Sequence, residues 1–368
     1  MEDMETQQKG TIESIKKLRI AVVAFELITP NQRTGGVSHF NHRLCTKLSD
    51  MGHEVTAITM NSLLEDANYN IKSLSKSVDI NKRFQRYYLT ALKGRKINFD
   101  GYDLVISNGD DWAMRRAGVP WVRIMHGSAI RELQHNHRLL RKMNLSILYL
   151  LERYSSKRST VTLYNSKDTQ KLYKNRKQDE VLHLPVDRDL FFPAEKEKEP
   201  TILFVGALDS RKRGRLLRNL YVSNIKKEIP NCKLWMVCNR DESIDGVTYF
   251  NNLTNEALAS LYRKAHIFCM PSTYEGFGLP YLEAMASGTL VVTTPNPGAD
   301  EILDNGKYGV IVKDSELGES LIASLRNINK YEMIIQRAIK FAEQQSWENI
   351  IAKYLTYLNS NNNYEEKQ

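Results

Sequence analysis

A glycine-containing loop between an apolar run and a helix most constrains how this chain can fold. Residues 265–270 form an apolar run that is typical of a strand buried on both faces of a parallel sheet. Residues 281–286 predict a helix, with Pro280 suited to its first position and Gly288 to its end. A buried strand that leads through a short loop into a helix indicates an α/β protein.

The loop also has a distinct chemical character. Gly276 and Gly278 lack a Cβ, so the backbone can turn tightly and bring its N–H groups to a ligand. The N-terminus of the following helix favours phosphate. Glu275 and Glu283, with seven residues between them, suit a ligand with both hydroxyls and anionic groups, such as a nucleotide sugar. In the simpler alternative, Glu275 is an ordinary loop carboxylate and Glu283 a favourable helix-start charge.

The same residues resemble a known signature. Glu-Gly-Phe-Gly at 275–278, followed by Glu283, resembles the E-x7-E motif of the retaining family 4 glycosyltransferases, which have the GT-B fold. Pro-Ser at 271–272 and Ala-Met-Ala-Ser-Gly at 284–288 resemble that family too. The resemblance covers 18–358. It implies an α/β GT-B protein whose two Rossmann-like domains face a central cleft, with a C-terminal helix that crosses back to the first domain.

The resemblance and the local patterns together predict the domain organisation. The length of 368 residues is consistent with about two domains. The charged, apolar-poor run at 194–200 is the predicted linker. We expect a flexible N-terminus at 1–17, an N-terminal acceptor-side Rossmann-like domain at 18–193, a C-terminal nucleotide-sugar donor domain at 201–345, a crossover helix at 346–358 and a disordered tail at 359–368.

The resemblance also implies residue roles. Glu275 would be catalytic and would hold the sugar hydroxyls together with the amides of the loop, while Glu283 would bind the ribose hydroxyls. The nucleotide-diphosphate sugar would be a substrate, and no cofactor is expected. The implied donor-binding residues are Gly36, Lys212, Arg213, Gly276, Phe277, Gly278, Leu279 and Glu283.

A basic turn follows the strand predicted at 201–206. The family has an arginine directly after the first glycine of this turn and a lysine just before the last one, and both hold the donor pyrophosphate. Here Ala207 replaces the arginine, so one expected cation is absent. Arg211, Lys212 and Arg213 remain candidates for the second cation. A solvated basic turn is the alternative interpretation.

A second candidate catalytic residue lies in the N-terminal half. Residues 119–125 predict a strand that ends at His126 and Gly127. Ligands in open α/β sheets bind beyond the C-terminal ends of the strands. A single histidine is usually structural, but His126 resembles the family's histidine beside the donor sugar. Gly36 similarly resembles the family's N-terminal glycine loop, for which a plain turn is the alternative.

We expect no bound metal. The adjacent acids Asp110 and Asp111 follow a predicted strand, but a loop turn explains them better than a metal site. The chain has no clustered spacing of metal ligands. A helix N-terminus, the amides of a glycine loop and cationic side chains can stabilise a leaving phosphate without a metal ion.

The net charge of +9 is compatible with nucleic acid, an anionic membrane face or phosphate-bearing substrates. No nucleic-acid-binding module is recognisable, so no nucleic-acid partner is expected. An apolar stripe at helical spacing lies within a strongly basic region, and packing against the core is its simplest interpretation. Peripheral contact with an anionic membrane is the alternative. The stripe consists of Leu140, Met143, Ile147, Leu151 and Tyr154.

The sequence therefore predicts a metal-independent retaining glycosyltransferase of the hexosyltransferase type. It would move a sugar from a nucleotide-diphosphate sugar to an acceptor hydroxyl on a glycan, a glycolipid or a small molecule. A sugar-nucleotide epimerase of the same fold and an inactive binding protein are the alternatives. Four scattered cysteines, and the lack of a secretion signal or a long apolar run, favour a cytoplasmic protein, including one at the inner face of a membrane.

Overall fold

A computed structural model of the chain describes residues 17–28, 36–60, 62, 64–75, 88–116, 118–134, 138–173 and 176–358. Contacts divide these residues into two compact units. The first contains the described residues up to Leu163 together with 354–358, and the second runs from Tyr164 to Lys353. The predicted terminal segments, 1–17 and 359–368, lie outside the described residues except for Lys17.

The first unit is built on parallel strands with helices between them. The strands are β1 (Arg19–Val23), β2 (Glu54–Thr59), β3 (Asn70–Ser73), β4 (Leu104–Ser107), β5 (Trp121–Met125) and β6 (Val161–Tyr164). The helices are α1 (Gly36–Asp50), α2 (Thr90–Gly94), α3 (Ala129–Gln134) and α4 (Leu139–Arg158). The strands lie side by side in the order β3-β2-β1-β4-β5-β6, so the chain reverses its direction of travel across the sheet between β1 and β4.

The second unit begins with α5 (Lys167–Lys171) and β7 (Glu180–Val181). Its sheet strands are β8 (Thr201–Val205), β9 (Lys233–Val237), β10 (Val247–Phe250), β11 (Ile267–Cys269), β12 (Leu290–Thr293) and β13 (Val310–Ile311). Its helices are α6 (Gly214–Leu220), α7 (Lys226–Glu228), α8 (Asn255–Lys264), α9 (Leu279–Ala286), α10 (Pro297–Ile302), α11 (Leu317–Arg326), α12 (Glu332–Gln344) and α13 (Trp347–Thr356).

This six-stranded parallel sheet has the order β10-β9-β8-β11-β12-β13. Its strand order reverses between β8 and β11. In open parallel sheets such a reversal leaves a crevice at the C-terminal ends of the two strands, where ligands bind. The loops after β8 and β11 are the two segments that the sequence singled out. The α/β prediction is confirmed in both units.

The junction between the units falls earlier than the predicted linker at 194–200. The contact boundary lies between Leu163 and Tyr164, so 164–193 belongs with the second unit. The linker segment itself is held on this unit. Lys196 Nζ donates to the carbonyls of Arg263 and Ser287 and to Oγ1 of Thr289, at 2.9, 3.1 and 2.8 Å. The charged segment 194–200 is therefore packed on the second unit through Lys196. At the other end, the contact boundary lies inside α13, between Lys353 and Tyr354.

The interpretation of the apolar stripe on α4 as core-facing is wrong for four of its five residues, whereas the fifth, Leu151, is partly buried and lines a cavity of the first unit. Leu140 is 81% exposed, Met143 57%, Ile147 50% and Tyr154 52%. The helix packs inward through a different face, which carries Leu145 and Ser155. Helical periodicity identifies the apolar side of a helix, but it does not tell whether anything covers that side.

Asp111 is part of a buried ion-pair network. Its carboxylate accepts hydrogen bonds from Arg116, 2.7 Å away, and from Arg123 and Ser155. Burial opposes ionisation, but the two guanidinium groups outweigh it and hold the pKa of Asp111 well below its usual range. The loop-turn interpretation fits Asp110, which has a φ of 55°.

Replacing Asp111 with asparagine should strongly destabilise the first unit. The substitution leaves two arginines without their buried counter-charge, and breaking such a pair costs about 3–5 kcal/mol. Asp110→Asn is the matched control, because asparagine tolerates the left-handed conformation that this residue adopts. Thermal unfolding followed by circular dichroism should show a much larger loss for Asp111→Asn than for Asp110→Asn. Equal melting of both variants would contradict the structural role of Asp111.

Candidate functional site

The loops after β8 and β11 meet at the strand reversal of the second unit. The N–H of Thr273 donates to the carbonyl of Arg211 at 2.9 Å, and Nε of Arg213 donates to the carbonyl of Pro271. The carbonyl of Ser272 accepts hydrogen bonds from Thr294 and Asn296 on the far side of the loop. The backbone of the 271–278 loop is thus fixed from two directions, which pre-organises the groups it carries.

Glu275 is buried in this loop, with 5% of its surface exposed. Its Oε1 accepts from the Ser272 hydroxyl at 3.0 Å, and its Oε2 accepts from Arg211 at 3.1 Å. The loop also lies directly on Gly298. A Cβ there would fall 2.8 Å from the Glu275 carbonyl and 3.0 Å from that of Phe277, so only glycine fits without displacing the loop.

Lys212 is the inward-facing cation of the site. Its ammonium donates to the Val205 carbonyl at 3.2 Å and interacts electrostatically with the carboxylates of both Glu275 and Glu283. Burial lowers the pKa of Lys212, and the two carboxylates act against that shift. Gly206 makes this position possible, because a Cβ on residue 206 would lie 2.4 Å from Cδ of the lysine.

The two neighbouring arginines are held differently. Arg213 has a φ of 53°, and its guanidinium forms an ion pair with Asp314 and a 2.9 Å hydrogen bond with Thr294. Arg211 reaches Glu275, but its side chain is half exposed. Of the three candidates for the pyrophosphate-binding cation, Lys212 is therefore the one directed toward the Val205 carbonyl and influenced by both carboxylates, while Arg213 is directed toward Asp314.

Glu283 lies on α9, one turn after the helix begins. Burial raises the pKa of its carboxyl to about 7, although the nearby Tyr262 hydroxyl and Lys212 ammonium favour the charged form. Helix α9 starts after Gly278, whose φ is 89°. Leu279 is its first residue and Pro280 its second, so the helix begins one residue earlier than the sequence predicts. The N-terminus of α9 and the Glu283 carboxyl thus lie on the same short helix.

Sequence reasoning missed a second cluster beside the loop. The Glu301 carboxylate accepts from the Lys167 N–H at 2.8 Å and lies 3.0 Å from Nε2 of His183. The ring of Phe277 packs against that of His183 with centroids 5.4 Å apart. Glu301 is distant from His183 in the sequence, and no local pattern links them. The cluster fixes the Phe277 side of the loop.

His126 and Gly36 belong to the first unit. His126 follows β5, at the edge of a cavity of about 350 Å³ that lies at the reversal between β1 and β4 and is also lined by Glu26, Asn108 and Glu152. Its Nε2 lies 2.8 Å from Oδ1 of Asn108. Burial, followed by the charge of Arg123, lowers the pKa of His126 to about 4, so the imidazole is neutral at pH 7. Gly36 begins α1, and a Cβ there would meet no atom within 4 Å.

Within the described ranges, no group of three or more histidine, cysteine, aspartate or glutamate side chains is arranged to hold a metal ion. In the same ranges, no helix combines the length and apolar character needed to cross a bilayer.

Two family models match consecutive parts of the chain. The model described as Glycosyltransferase Family 4 matches residues 34–190, and the model described as Glycosyl transferases group 1 matches residues 186–341. The two sheets, their strand order and the loop at 271–278 agree with these matches. The chain belongs to the group 1, family 4 glycosyltransferases and has their two-domain GT-B fold.

The chain is similar to several known members of this class. The O-antigen chain mannosyltransferase RfbU of Salmonella typhimurium is 30% identical over 217 residues, which are 54% of this chain and 55% of RfbU. Sucrose-phosphate synthase from Thermosynechococcus elongatus has a TM-score of 0.72 at 19% identity and covers 95% of this chain and 99% of its own. Anabaena HepE in complex with UDP and glucose has a TM-score of 0.68 at 15% identity, and the match covers 92% of this chain and 99% of the HepE chain. The chain spans less than two thirds of the curated relatives it matches.

Replacing Glu283 with glutamine should stabilise the protein above neutral pH. The pKa of Glu283 is about 7 in the folded state, against about 4.3 in unfolded chains. The wild-type protein therefore loses stability as the pH rises from the lower value through the higher one, and the glutamine variant does not. We expect a gain of about 3–4 kcal/mol at pH 8 that vanishes near pH 4.

Thermal unfolding across this pH range measures the effect. Glu319→Gln, at an exposed position in the first turn of α11, is the control and should follow the wild type at every pH. A stability difference for Glu283→Gln that does not change with pH would show that the carboxyl is not destabilised by its surroundings.

Proposed function

We propose that this protein is a retaining glycosyltransferase of the hexosyltransferase type, which transfers a sugar from a nucleotide-diphosphate sugar to an acceptor hydroxyl without a metal ion. The observation that carries the proposal is the position of the Lys212 ammonium, which interacts with both Glu275 and Glu283 at the strand reversal of the second unit. An enzyme of this class needs groups for sugar hydroxyls, ribose hydroxyls and pyrophosphate in one place.

Stabilisation of the leaving pyrophosphate would come from fixed positive groups. Negative charge grows on the phosphate oxygens as the bond to the sugar breaks, and pre-oriented donors lower the energy of that state. Lys212 and the first amides of α9 supply such donors. Arg211 pairs with Glu275 in the loop, and we assign to it the role of the family arginine that Ala207 replaces. The UDP and glucose named with HepE support a ligand of this chemistry.

The carboxylates would recognise the sugar parts of the donor. Glu275, held by Ser272 and Arg211, would accept hydrogen bonds from the sugar hydroxyls, while Glu283 would accept from the ribose. The sugar carbon passes through an oxocarbenium-like state, as in glycoside chemistry generally. With the acceptor hydroxyl attacking from the face of the leaving phosphate, the anomeric configuration would be retained.

The first-unit cavity would serve the acceptor side. His126 remains neutral at pH 7 because of its lowered pKa, so it can exchange hydrogen bonds with hydroxyls without adding charge. A cavity of about 350 Å³ is large enough for a small polar group such as one sugar unit. We also propose a cytoplasmic location, which is favoured by the four buried cysteines, none of which forms a disulfide.

The direct test begins with thermal unfolding in the presence of UDP, GDP and ADP sugars, because a ligand that binds the folded state raises its melting temperature. The stabilising donor is then incubated with candidate acceptors in the presence of a chelator, and NMR reads the anomeric configuration of the product. Transfer with retention supports the proposal. Inversion or dependence on a metal would contradict the mechanism. An isomerised donor formed without any acceptor would indicate an epimerase.

Glu275→Gln should separate turnover from donor binding. The amide keeps the size of the side chain but cannot accept hydrogen bonds through both oxygens as the carboxylate does. We expect kcat to fall by about 10²–10³-fold, the cost of losing one transition-state-stabilising group, while the Kd for the nucleoside diphosphate changes little. Calorimetry and a turnover assay give the two values. Glu319→Gln serves as the control, and unchanged turnover in Glu275→Gln would exclude the assigned role.

A further inference from the structure

Helix α4 presents a long apolar stripe that no other part of the described chain covers. Residues three and four positions apart share one side of a helix, and five large side chains occupy that side at this spacing. Each is at least half exposed, and Leu150 takes the place of the cavity-lining Leu151 of the predicted stripe: Leu140, Met143, Ile147, Leu150 and Tyr154. Single exposed apolar residues are ordinary on protein surfaces, but a continuous patch of large ones indicates an interaction site.

The charges that border the stripe are mainly positive. Helix α4 carries five basic side chains and one acidic side chain, Glu152, and of the basic ones Arg141 is buried in an ion pair with Glu132. Lys157 and Arg158 are exposed in its last turn, and the guanidinium of Arg158 lies over the Tyr154 ring at 5.2 Å from its centroid. Lys142 lies near the opposite end. The stripe is therefore bordered by positive charge at both ends.

The inner side of the same helix is already used. Leu145 is buried, and Leu148 and Glu152 line the first-unit cavity. These contacts anchor α4 on its unit, so the outer stripe is not needed to hold the helix in place. Internal packing therefore does not explain why so many apolar side chains lie on the outer side of α4.

We propose that the outer face of α4 docks on the surface of an anionic lipid bilayer. A helix with basic residues beside an exposed apolar side lies in the plane of the membrane interface, with its apolar residues among the acyl chains and its cations near the lipid phosphates. Charge complementarity favours this partner over a second copy of the chain, because a symmetric pairing would bring like-charged helix borders together. The proposal goes beyond the transfer reaction and does not depend on it.

The experiment is co-sedimentation of the full chain with vesicles of phosphatidylcholine alone and of phosphatidylcholine mixed with phosphatidylglycerol, without any donor. One variant, Leu140→Ser with Ile147→Ser, removes apolar area. A second, Lys142→Glu with Lys157→Glu, reverses charge and keeps the stripe. The control combines Met333→Ser with Lys330→Glu, which alters an exposed methionine and an exposed lysine in the second unit. Thermal unfolding and donor binding verify that every variant is folded.

We expect the wild type and the control to bind the mixed vesicles and not the neutral ones, with binding weakened by added salt. Each α4 variant should lose at least about tenfold in partitioning, since both apolar insertion and positive charge contribute. Three results would overturn the proposal. They are no binding by the wild type, binding that both α4 variants retain, and concentration-dependent self-association in light scattering that the serine variant abolishes, which would identify a second copy as the occupant.

Discussion

The site depends on one charge arrangement, a partly buried lysine whose charge acts on two glutamates. Lys212 lies close enough to Glu275 and Glu283 to influence both, and two glycines make room for the lysine and for the loop that carries Glu275. Gly206 leaves room for the lysine stem, and Gly298 leaves room for the loop that carries Glu275. The raised pKa of Glu283 shows that the lysine does not fully offset the burial of that acid. Such residual destabilisation is expected where a site is shaped for a ligand rather than for stability.

The fold brings these residues together because both sheets reverse their strand order. The loops after β8 and β11 come from positions about sixty residues apart, yet the strands are neighbours, so their C-terminal loops must share one crevice. The first unit repeats the same rule between β1 and β4, where its cavity and His126 are found. Topology thus locates both sites, and the side chains on the loops decide what each can bind.

Much of this was predictable from local patterns. The strand, loop and helix at 265–286 follow from an apolar run, two glycines and a proline, because each acts on its own backbone. The different directions of the Lys212 and Arg213 side chains were not predictable, since they depend on the left-handed conformation of Arg213 and on Asp314, far along the chain. The exposure of the α4 stripe was likewise not predictable from the sequence, because periodicity does not show whether another element covers an apolar face. The contact between Glu301 and His183 likewise arises only from tertiary packing.

Hydrogen exchange followed by mass spectrometry, with and without the nucleotide sugar that stabilises the protein, tests the central claim most directly. The account predicts slower exchange in peptides covering 206–213 and 272–286, because the ligand would use the amides of these loops and of α9. Exchange in peptides from α4 should stay unchanged. Unaltered exchange in both loops, together with protection at some other surface, would contradict the assignment of Lys212, Glu275 and Glu283 to the donor.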